Sequence, residues 1–249
     1  MSFKVVIPAR FNSTRLPGKP LIEIGDTPMV IHVARKARMS GADEVVIATD
    51  DQKIIDVVTS YDFEALMTKD THVSGTDRVL EVVNLKKWSD SELIINVQGD
   101  EPLIDPNLIK LLYEGMIKEK LNYATAASKF KNYDDYASPN NVKVILGKDN
   151  FAIYFSRSKI PFFMSDENNF WNPNITLHHI GLYGYTPKLL RSFCQLSESK
   201  HEAAEKLEQL RAIDNNLRIK VFEYHGNHIK GVDTLDDLAV INKFMANQT

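Results

Sequence analysis

Hydrophobic and polar positions in the first half of the chain alternate between two patterns. Short apolar runs predict strands over 4–9, 44–50, 63–68 and 92–100. Between these runs the apolar residues recur at helical spacing, which predicts helices over 28–40, 51–61, 76–88 and 106–120. Strands that are apolar along most of their length and alternate with helices are typical of a parallel sheet covered on both faces. We therefore expect an α/β fold built on a central sheet.

The second half of the chain has a different pattern. Four apolar segments follow one another at 123–130, 141–147, 151–157 and 177–186, and their spacing predicts hairpins or mixed pairing. Helices are then predicted over 186–196 and 201–213, a strand over 218–224, and a last helix over 234–244. We thus expect a mixed, mostly parallel sheet with helices on both faces. The polar and aromatic segment 161–175 is predicted to be a mobile loop or lid.

Composition narrows the class of protein. The chain has 249 residues, enough for a sizeable core, and its net charge of −3 gives no general attraction for nucleic acid or an anionic membrane. Its single cysteine, Cys194, excludes a disulfide within the chain. The N-terminal apolar run is too short for a signal peptide, and no segment approaches the ~20 apolar residues that span a bilayer. We expect a cytoplasmic protein with no nucleic-acid partner and no membrane insertion.

The loop after the first predicted strand, PARFNSTRLPGKP at 8–20, carries Arg10, Arg15 and Lys19. Arginine binds phosphate with two parallel hydrogen bonds, and lysine acts as a point charge. A solvated loop would explain the charges alone. However, ligands bind beyond the carboxyl ends of parallel strands, and no acidic residue occurs between residues 4 and 22, so we favour an anion site. GxxxxGK[ST] and GxGxxG are both missing, which disfavours P-loop NTPases and dinucleotide-dependent dehydrogenases.

Two aspartates are candidate ligands for a hard cation. Asp100 lies in VQGDEP at the end of a predicted strand, and Asp233 lies in GVDT before the last helix. Mg²⁺ prefers carboxylate oxygens and takes only one or two of them from the protein. A turn or a helix cap explains Asp100 equally well when it is considered alone. Asp233 is less needed as a cap, because Thr234 follows it and is a good N-cap for the last helix.

Two other polar groups allow ordinary structural interpretations. His178 and His179 lie in an apolar strand, so one is expected on each face, and a hydrogen-bonded core histidine is the simpler reading. A zinc site is disfavoured because further ligands at suitable spacing are missing. In EKLEQLRAI at 205–213, Glu208 and Gln209 are expected on the solvated side of a helix whose apolar stripe faces inward.

Several of these motifs together resemble a known family, the 3-deoxy-D-manno-octulosonate (Kdo) cytidylyltransferases. The motifs are RFNSTRLPGKPL, SGTDR, NVQGDEP, YFSRSKIP, HIGLYGY, LEQLR and GVDT, and they run in order from residue 4 to about 240. The opening motif alone would indicate only sugar nucleotidyltransferases in general. The resemblance implies the fold of nucleotide-diphospho-sugar transferases, with a β-rich dimerisation and sugar-binding portion. The chain departs mildly from the family pattern at Lys230.

The resemblance also implies an activity and roles for residues. The implied reaction joins CTP and Kdo to give CMP-Kdo and pyrophosphate, for the inner core of lipopolysaccharide, in a Mg²⁺-dependent homodimer. Arg10, Lys19 and Asp100 are implied to act at the reacting phosphates. The implied nucleotide-binding residues are Arg10, Arg15, Lys19, Ser74, Gly75 and Gln98. The implied sugar-binding residues are Arg157, His179, Tyr185, Glu208 and Gln209, and the implied metal ligands are Asp100 and Asp233.

The resemblance further implies one cytidylyltransferase domain over residues 1–249. Its nucleotide-binding part would span about 1–120, its sugar-binding and dimerisation part about 121–225, and a C-terminal metal-ligand loop and helix about 226–249. Two alternatives remain open at this point. One is CTP-dependent activation of a modified sugar acid such as 8-amino-Kdo. The other is a non-catalytic nucleotide-binding protein, which is disfavoured because the cationic loop and both aspartates are present.

Overall fold

A mixed nine-stranded sheet forms the centre of the molecule in the computed structural model, which describes residues 3–11, 16–164 and 171–246. The strands are β1 (Phe3–Ala9), β2 (Glu23–Ile24), β3 (Thr27–Pro28), β4 (Glu44–Thr49), β5 (Glu64–Met67), β6 (Leu93–Asn96), β7 (Tyr123–Ser128), β8 (Lys143–Leu146), β9 (Ala152–Ser156), β10 (Thr176–Tyr185) and β11 (Lys220–Glu223). Strands β2 and β3 pair with each other and form a separate small hairpin.

Strand directions determine which loops can share a site. The order is β11-β7-β10-β6-β1-β4-β5, with β8 beside the first part of β10 and β9 beside β8. Strand β1 pairs in parallel with β4 and β6, whereas β10 runs antiparallel to β6, β7 and β8. Two successive antiparallel pairings bring β7 back to the direction of β6, and β11 is parallel to β7. The loops after β1, β4, β6, β7 and β11 therefore leave the sheet at one edge.

The helices cover both faces of the sheet. They are α1 (Met29–Met39), α2 (Gln52–Ser60), α3 (Gly75–Leu85), α4 (Pro106–Glu119), α5 (Tyr133–Ala137), α6 (Pro187–Phe193), α7 (Lys200–Glu205), α8 (Gln209–Asp214) and α9 (Leu235–Ala246). Val5 and Ile7 of β1 join a core with α1, α2 and α4, whereas Val6 joins a core with α3, α6 and α8. This alternation explains why β1 is apolar along its length, and it confirms the predicted mixed sheet with helices on both faces.

Some predicted elements differ from those in the structure. The helix predicted over 201–213 is wrong as a single helix, because the chain turns between α7 and α8, with Lys206 in the left-handed region at φ 53°. The strand predicted over 92–100 ends at Asn96, and the short elements β2, β3 and α5 were not predicted. None of the helices in the described ranges combines the length and apolar character required to cross a membrane.

Candidate functional site

Four loops meet at the carboxyl edge of the parallel strands. The backbone N–H of Phe11, after β1, donates to Asp50 Oδ1 after β4 at 3.2 Å. The loop after β6 touches β1, since a Cβ on Gly99 would come within 2.8 Å of the Pro8 carbonyl oxygen. The loop before α9 lies against the same segment, where the Val232 N–H donates to the Asp100 carbonyl at 2.9 Å. Residues far apart in sequence are thereby brought into one cleft.

Lys19 lies between the two predicted metal ligands. Gly18, in the left-handed region at φ 67°, turns the opening loop into a short 3₁₀ helix that begins at Lys19. The Lys19 ammonium is 2.7 Å from Asp100 Oδ2 and 3.4 Å from Asp233 Oδ1. The lysine side chain is 13% exposed and the aspartates 37% and 36%, so the cluster opens to solvent on its carboxylate side. The structure thus brings Lys19 of the cationic loop together with both aspartates.

This pair of carboxylates fits a magnesium ion. Asp100 and Asp233 already contact one shared cation, the Lys19 ammonium, so both point at a common centre of positive charge. Within the described residues, no group of three or more His, Cys, Asp or Glu side chains could hold a metal. A pair suffices for Mg²⁺, because this ion takes one or two protein carboxylates and completes its shell with water and substrate phosphates.

The other predicted nucleotide-binding residues lie around the same edge. Arg10 is exposed directly after β1. Gln98 is half-buried, and its side-chain amide donates to the Gly181 carbonyl at 3.3 Å. Gly75 begins α3 beside β1, since a Cβ there would lie 3.3 Å from Pro8 Cγ. Arg15 lies outside the described residues.

Ser74 starts a polar cluster that includes one predicted sugar-binding residue. Its hydroxyl caps α3 by accepting from the Asp77 N–H at 3.1 Å. Two residues further on, the Thr76 hydroxyl donates to Glu208 Oε2, which links α3 to the turn before α8. Burial raises the pKa of Glu208, whose Oε1 is 4.0 Å from the Arg211 guanidinium. Glu208 is therefore a half-buried carboxyl group within the molecule and not part of a solvated helix face.

His179 lines the cleft from β10. It borders a cavity of about 240 Å³ together with Asp100 and Asp233. Its Nε2 is 3.0 Å from the Thr125 hydroxyl, and burial lowers the pKa of His179 to about 3, with further lowering by the neighbouring histidines. The ring is therefore neutral at physiological pH, so it can act as a hydrogen-bonding group towards a polyol but not as a cation.

Tyr185 lies in the core and not in the cleft. It is 1% exposed and stacks on Tyr123 with ring centroids 5.0 Å apart. Because β10 runs antiparallel to β6, the tyrosine nearer the carboxyl edge is Tyr183, which pairs with Asn96 at the end of β6. Tyr183 is half-buried, and its ring centroid is 5.4 Å from that of His179. Tyr183 therefore lies nearer the carboxyl edge than Tyr185, which interacts with Thr76, Asn96 and Glu208 deeper in the molecule.

Arg157 and Gln209 do not border the cavity that Asp100 and Asp233 line. The Arg157 guanidinium donates to the carbonyls of Glu205 at 2.7 Å and Pro139 at 3.1 Å, so it joins β9 to α7 and the loop before β8. Gln209 is 5% exposed at the start of α8. Of the predicted lid over 161–175, residues 165–170 lie outside the described residues, and the lid stays a prediction.

Sequence reasoning assigned no role to two acidic groups that the structure places beside the cleft. Glu101 also borders the cavity. Burial and the charge of Asp100 raise its pKa to about 8. Its Oε2 is buried without a hydrogen-bond partner among the described residues. Asp50 pairs with the fully buried Arg78 at 2.8 Å while holding the N–H of Phe11. The motifs ATDD and SGTDR contained Asp50 and Arg78, but only the fold shows that they meet.

Comparisons with known proteins extend over the whole chain. A family model described as cytidylyltransferase matches residues 4–219. The 3-deoxy-manno-octulosonate cytidylyltransferase of Haemophilus influenzae (strain PittGG) is 42% identical over 99% of both chains. A protein named 3-deoxy-manno-octulosonate cytidylyltransferase 2 from Actinobacillus pleuropneumoniae serotype 5b (strain L20) is 42% identical over 100% of both.

Solved structures agree with these relatives. A CMP:2-keto-3-deoxy-manno-octonic acid synthetase complexed with CTP is similar to this chain with a TM-score of 0.91 and 38% identity, over 100% of both chains. A putative glucose-1-phosphate thymidylyltransferase from Bacillus anthracis is similar in fold alone, with a TM-score of 0.66 and 15% identity over 98% of this chain and 95% of that chain. Since the family model covers most of the chain and relatives match it from end to end, the chain belongs to the cytidylyltransferase family and is a nucleotidyltransferase.

Proposed function

We propose that this cytidylyltransferase transfers the cytidylyl group of CTP to Kdo, giving CMP-Kdo and pyrophosphate for the inner core of lipopolysaccharide. The observation that carries the proposal is the contact of Lys19 with both Asp100 and Asp233 at the sheet edge, beside a cavity that His179 also lines. A phosphate-binding cation, two carboxylates and a polar cavity are the groups that a nucleotide triphosphate and a sugar acid require. The names of relatives 42% identical over their whole length support Kdo as the acceptor.

The proposed reaction is a single in-line displacement. The anomeric hydroxyl oxygen of Kdo attacks the α-phosphorus of CTP and gives up its proton to solvent. The bond between the α-phosphorus and the oxygen that bridges to the β-phosphorus breaks, and pyrophosphate leaves with that electron pair. Phosphoryl transfer of this kind depends on positioning and on charge stabilisation more than on covalent help from the protein. Lys19, Arg10 and Arg15 would bind the phosphate oxygens, while Ser74, Gly75 and Gln98 would hold the cytidine. Arg157, His179, Glu208 and Gln209 would contact the sugar acid, and Tyr183 joins the predicted Tyr185 as a candidate from β10.

Magnesium is part of the proposal. Asp100 and Asp233 would hold the ion, because both carboxylates converge on one cation, the Lys19 ammonium. When bound, Mg²⁺ neutralises phosphate charge and lowers the pKa of a hydroxyl group that it contacts. Before an ion binds, burial and the charge of Asp100 raise the pKa of Glu101 to about 8, so its carboxyl adds little negative charge beside the aspartates at neutral pH.

A homodimer and a cytoplasmic location complete the proposal. Strand β9 is an edge strand that pairs with β8 alone among the described strands, and it exposes Ile153 (56%). The segment that follows exposes Phe162 (84%) and Met164 (87%), and such apolar groups mark surfaces that bind another protein. A cytoplasmic location is inferred because CTP is an intracellular nucleotide.

Pyrophosphate release tests the proposal. With CTP, Kdo and Mg²⁺ we expect turnover that falls away when CTP is replaced by other nucleotides or Kdo by other sugar acids. Asp100→Asn should remove most turnover, at least about a hundredfold, at saturating Mg²⁺. The control is Asp56→Asn, an exposed aspartate on α2 that should keep parent activity. Faster turnover of 8-amino-Kdo than of Kdo would select the alternative sugar, and no turnover with either would overturn the proposal.

A further inference from the structure

A second cleft adjoins the proposed catalytic cleft and takes no part in the function described so far. It has a volume of about 630 Å³ and is lined by residues that follow β7 and by the loop that follows β11. We call it the basic cleft and define it by Lys129, Lys131, His178, His228 and Lys230. The last three of these also line the cavity that holds Asp100 and Asp233, so the two spaces are continuous.

The lysines of the basic cleft form no direct ion pair in the described part of the chain, and the charge of Lys230 acts on the Asp237 carboxylate only from further away. Lys129 donates to the side-chain oxygen of Asn174 at 2.8 Å, and Lys131 donates to that of Asn227 at 3.2 Å. Both acceptors are neutral amides, which orient the ammonium groups without cancelling their charge. In the described part of the chain, no carboxylate lies within 4.0 Å of Lys129, Lys131 or Lys230. The cleft therefore has positive charge that nearby acidic groups do not neutralise.

The remaining charged and titratable groups leave the basic cleft with a net positive charge. Asp135 is the one carboxylate in its lining, so it offsets one of the three lysine charges, and its Oδ2 accepts from the Asn132 side-chain amide at 3.0 Å. Burial, followed by neighbouring positive charges that include Lys131, lowers the pKa of His178 and of His228 to about 4. Both rings are therefore neutral at pH 7, and each offers one donor and one acceptor. The cleft thus keeps an excess of positive charge.

We propose that the basic cleft binds a small anion through its carboxylate or phosphate oxygens, at a site separate from the triphosphate-binding loop. Oxyanions have only acceptors, which matches a cleft rich in ammonium groups. The volume lies within the range of small-ligand pockets, which is roughly 300–1,000 Å³. The chain as a whole has a net charge of −3, so this attraction is local.

Two sources could supply such an anion, namely a free phosphate or carboxylate compound, or the carboxylate of the sugar-acid substrate. The second source rests on the proposed function, whereas the anion site itself does not. Lys129 and Lys131 line the basic cleft but not the cavity that holds Asp100 and Asp233. Substitutions of these two lysines therefore test the basic cleft without changing the lining of the proposed catalytic cleft. Both side chains are exposed, so their removal should leave the fold intact.

The test is a titration of the full chain with inorganic phosphate, in which the NMR signals of the histidine C2–H groups report binding. His178→Gln and His228→Gln identify the two resonances. We expect both to shift with saturation in the parent protein, and the affinity to fall about tenfold in the double variant Lys129→Ala/Lys131→Ala. The matched control is Lys110→Ala/Lys118→Ala, which removes two lysines from α4 and should leave the affinity unchanged.

A second arm identifies the source of the anion. Kdo is added to the protein in the same way, without CTP. It is then added to protein that already holds phosphate, to measure competition between the two. Shifts by Kdo with competition would assign the substrate carboxylate to the cleft, and shifts by phosphate alone would assign a separate anion. Unsaturable shifts, or equal affinity in the Lys129→Ala/Lys131→Ala variant and the parent, would overturn the proposal. Neither result depends on turnover, so the failure of this proposal is distinguishable from failure of the proposed function.

Discussion

At the scale of single residues, burial decides the charge of the groups around the cleft. His179 is 8% exposed and bonded to Thr125, and its pKa is lowered to about 3. Burial acts in the opposite direction on acidic groups and raises the pKa of Glu101 to about 8. Both groups are consequently held mainly in their neutral forms at pH 7, which limits the charge next to the proposed metal ligands.

The lowered pKa of His179 predicts a dependence of stability on pH. The unfolded chain binds a proton at this histidine below about pH 6.5, whereas the folded protein binds it only near pH 3. The neutral ring therefore contributes full stability above pH 6.5, and this contribution is lost as the pH falls towards 3. Between pH 7 and pH 5, the free energy of unfolding of the parent should fall by about 2 kcal/mol more than that of His179→Gln.

Urea denaturation at a series of pH values measures this difference. Glu101 and other titrating groups affect the parent and the variant alike, so the comparison isolates the histidine. His225→Gln is the control, because the His225 side chain is 78% exposed, and it should follow the parent curve. If His179→Gln also follows the parent curve between pH 7 and pH 5, the lowered pKa is not a property of this residue.

The two tyrosines of HIGLYGY show what sequence could and could not predict about single residues. Resemblance to the family implied a sugar pocket at this motif, and strand alternation places Tyr183 and Tyr185 on one face of β10. Choosing between them requires the direction of the strand and its register with β6. Those are set by pairing with residues almost ninety positions earlier in the chain, such as Tyr183 with Asn96. Local pattern carries no information about that pairing.

At the scale of elements, the turn between α7 and α8 illustrates how tertiary contacts override a helical pattern. The segment 201–213 has helical spacing, yet the chain turns at Lys206. The turn allows the Arg211 guanidinium to reach the Glu202 carboxylate at 2.5 Å and 2.8 Å. In one continuous helix these residues would be about 13 Å apart along the axis, too far for an ion pair. The same turn places Glu208 beside Thr76.

The opening loop is anchored by neighbouring elements. Asp50, after β4, accepts from the N–H of Phe11 through one oxygen and from Arg78 of α3 through the other. The Arg78 side chain is fully buried and Asp50 is 10% exposed, so the pair is shielded from solvent. Arg78 also donates to the hydroxyl of Thr68, which itself bonds back to the Thr49 carbonyl. The position of the loop that carries Lys19 therefore depends on β4, α3 and the chain after β5.

This anchoring predicts an effect on both stability and substrate binding. Asp50→Asn leaves the buried Arg78 without a compensating charge, which should lower the free energy of unfolding by about 3 kcal/mol. The loosened loop should raise the KM for CTP about tenfold or more, with a smaller change in the KM for the sugar acid. Denaturation and steady-state kinetics measure the two effects.

An exposed pair of the same chemistry is the control. Asp90 pairs with Arg191, and their side chains are 58% and 40% exposed. Asp90→Asn should change the free energy of unfolding by less than about 1 kcal/mol and leave both KM values unchanged. If Asp50→Asn alters the two KM values equally, the Asp50–Arg78 pair supports the fold in general, and the prediction that it positions the opening loop is wrong.

At the scale of the whole molecule, the sequence predicted the fold class but not the pairing of its strands. Apolar strands alternating with helices indicated the parallel part, β1, β4, β5 and β6, and the unbroken series of strands indicated mixed pairing later. The insertion of β10 between β6 and β7 was not predictable from pattern. That insertion has consequences for function, because β7 and β11 then open on the same edge as the cationic loop and form the basic cleft.

Association is the remaining prediction at this scale. The edge strand β9 and the segment after it expose Ile153, Phe162 and Met164, so a second copy of the chain should cover them. Sedimentation equilibrium should give twice the chain mass for the parent and the single chain mass for Phe162→Lys/Met164→Lys, because burying two lysines at an interface is unfavourable. The control is Met39→Lys, which changes a methionine that is 69% exposed at the end of α1 and should leave the dimer intact. A dimer that persists in the double variant would place the interface on another surface, and a monomeric parent would remove the homodimer from the proposed function.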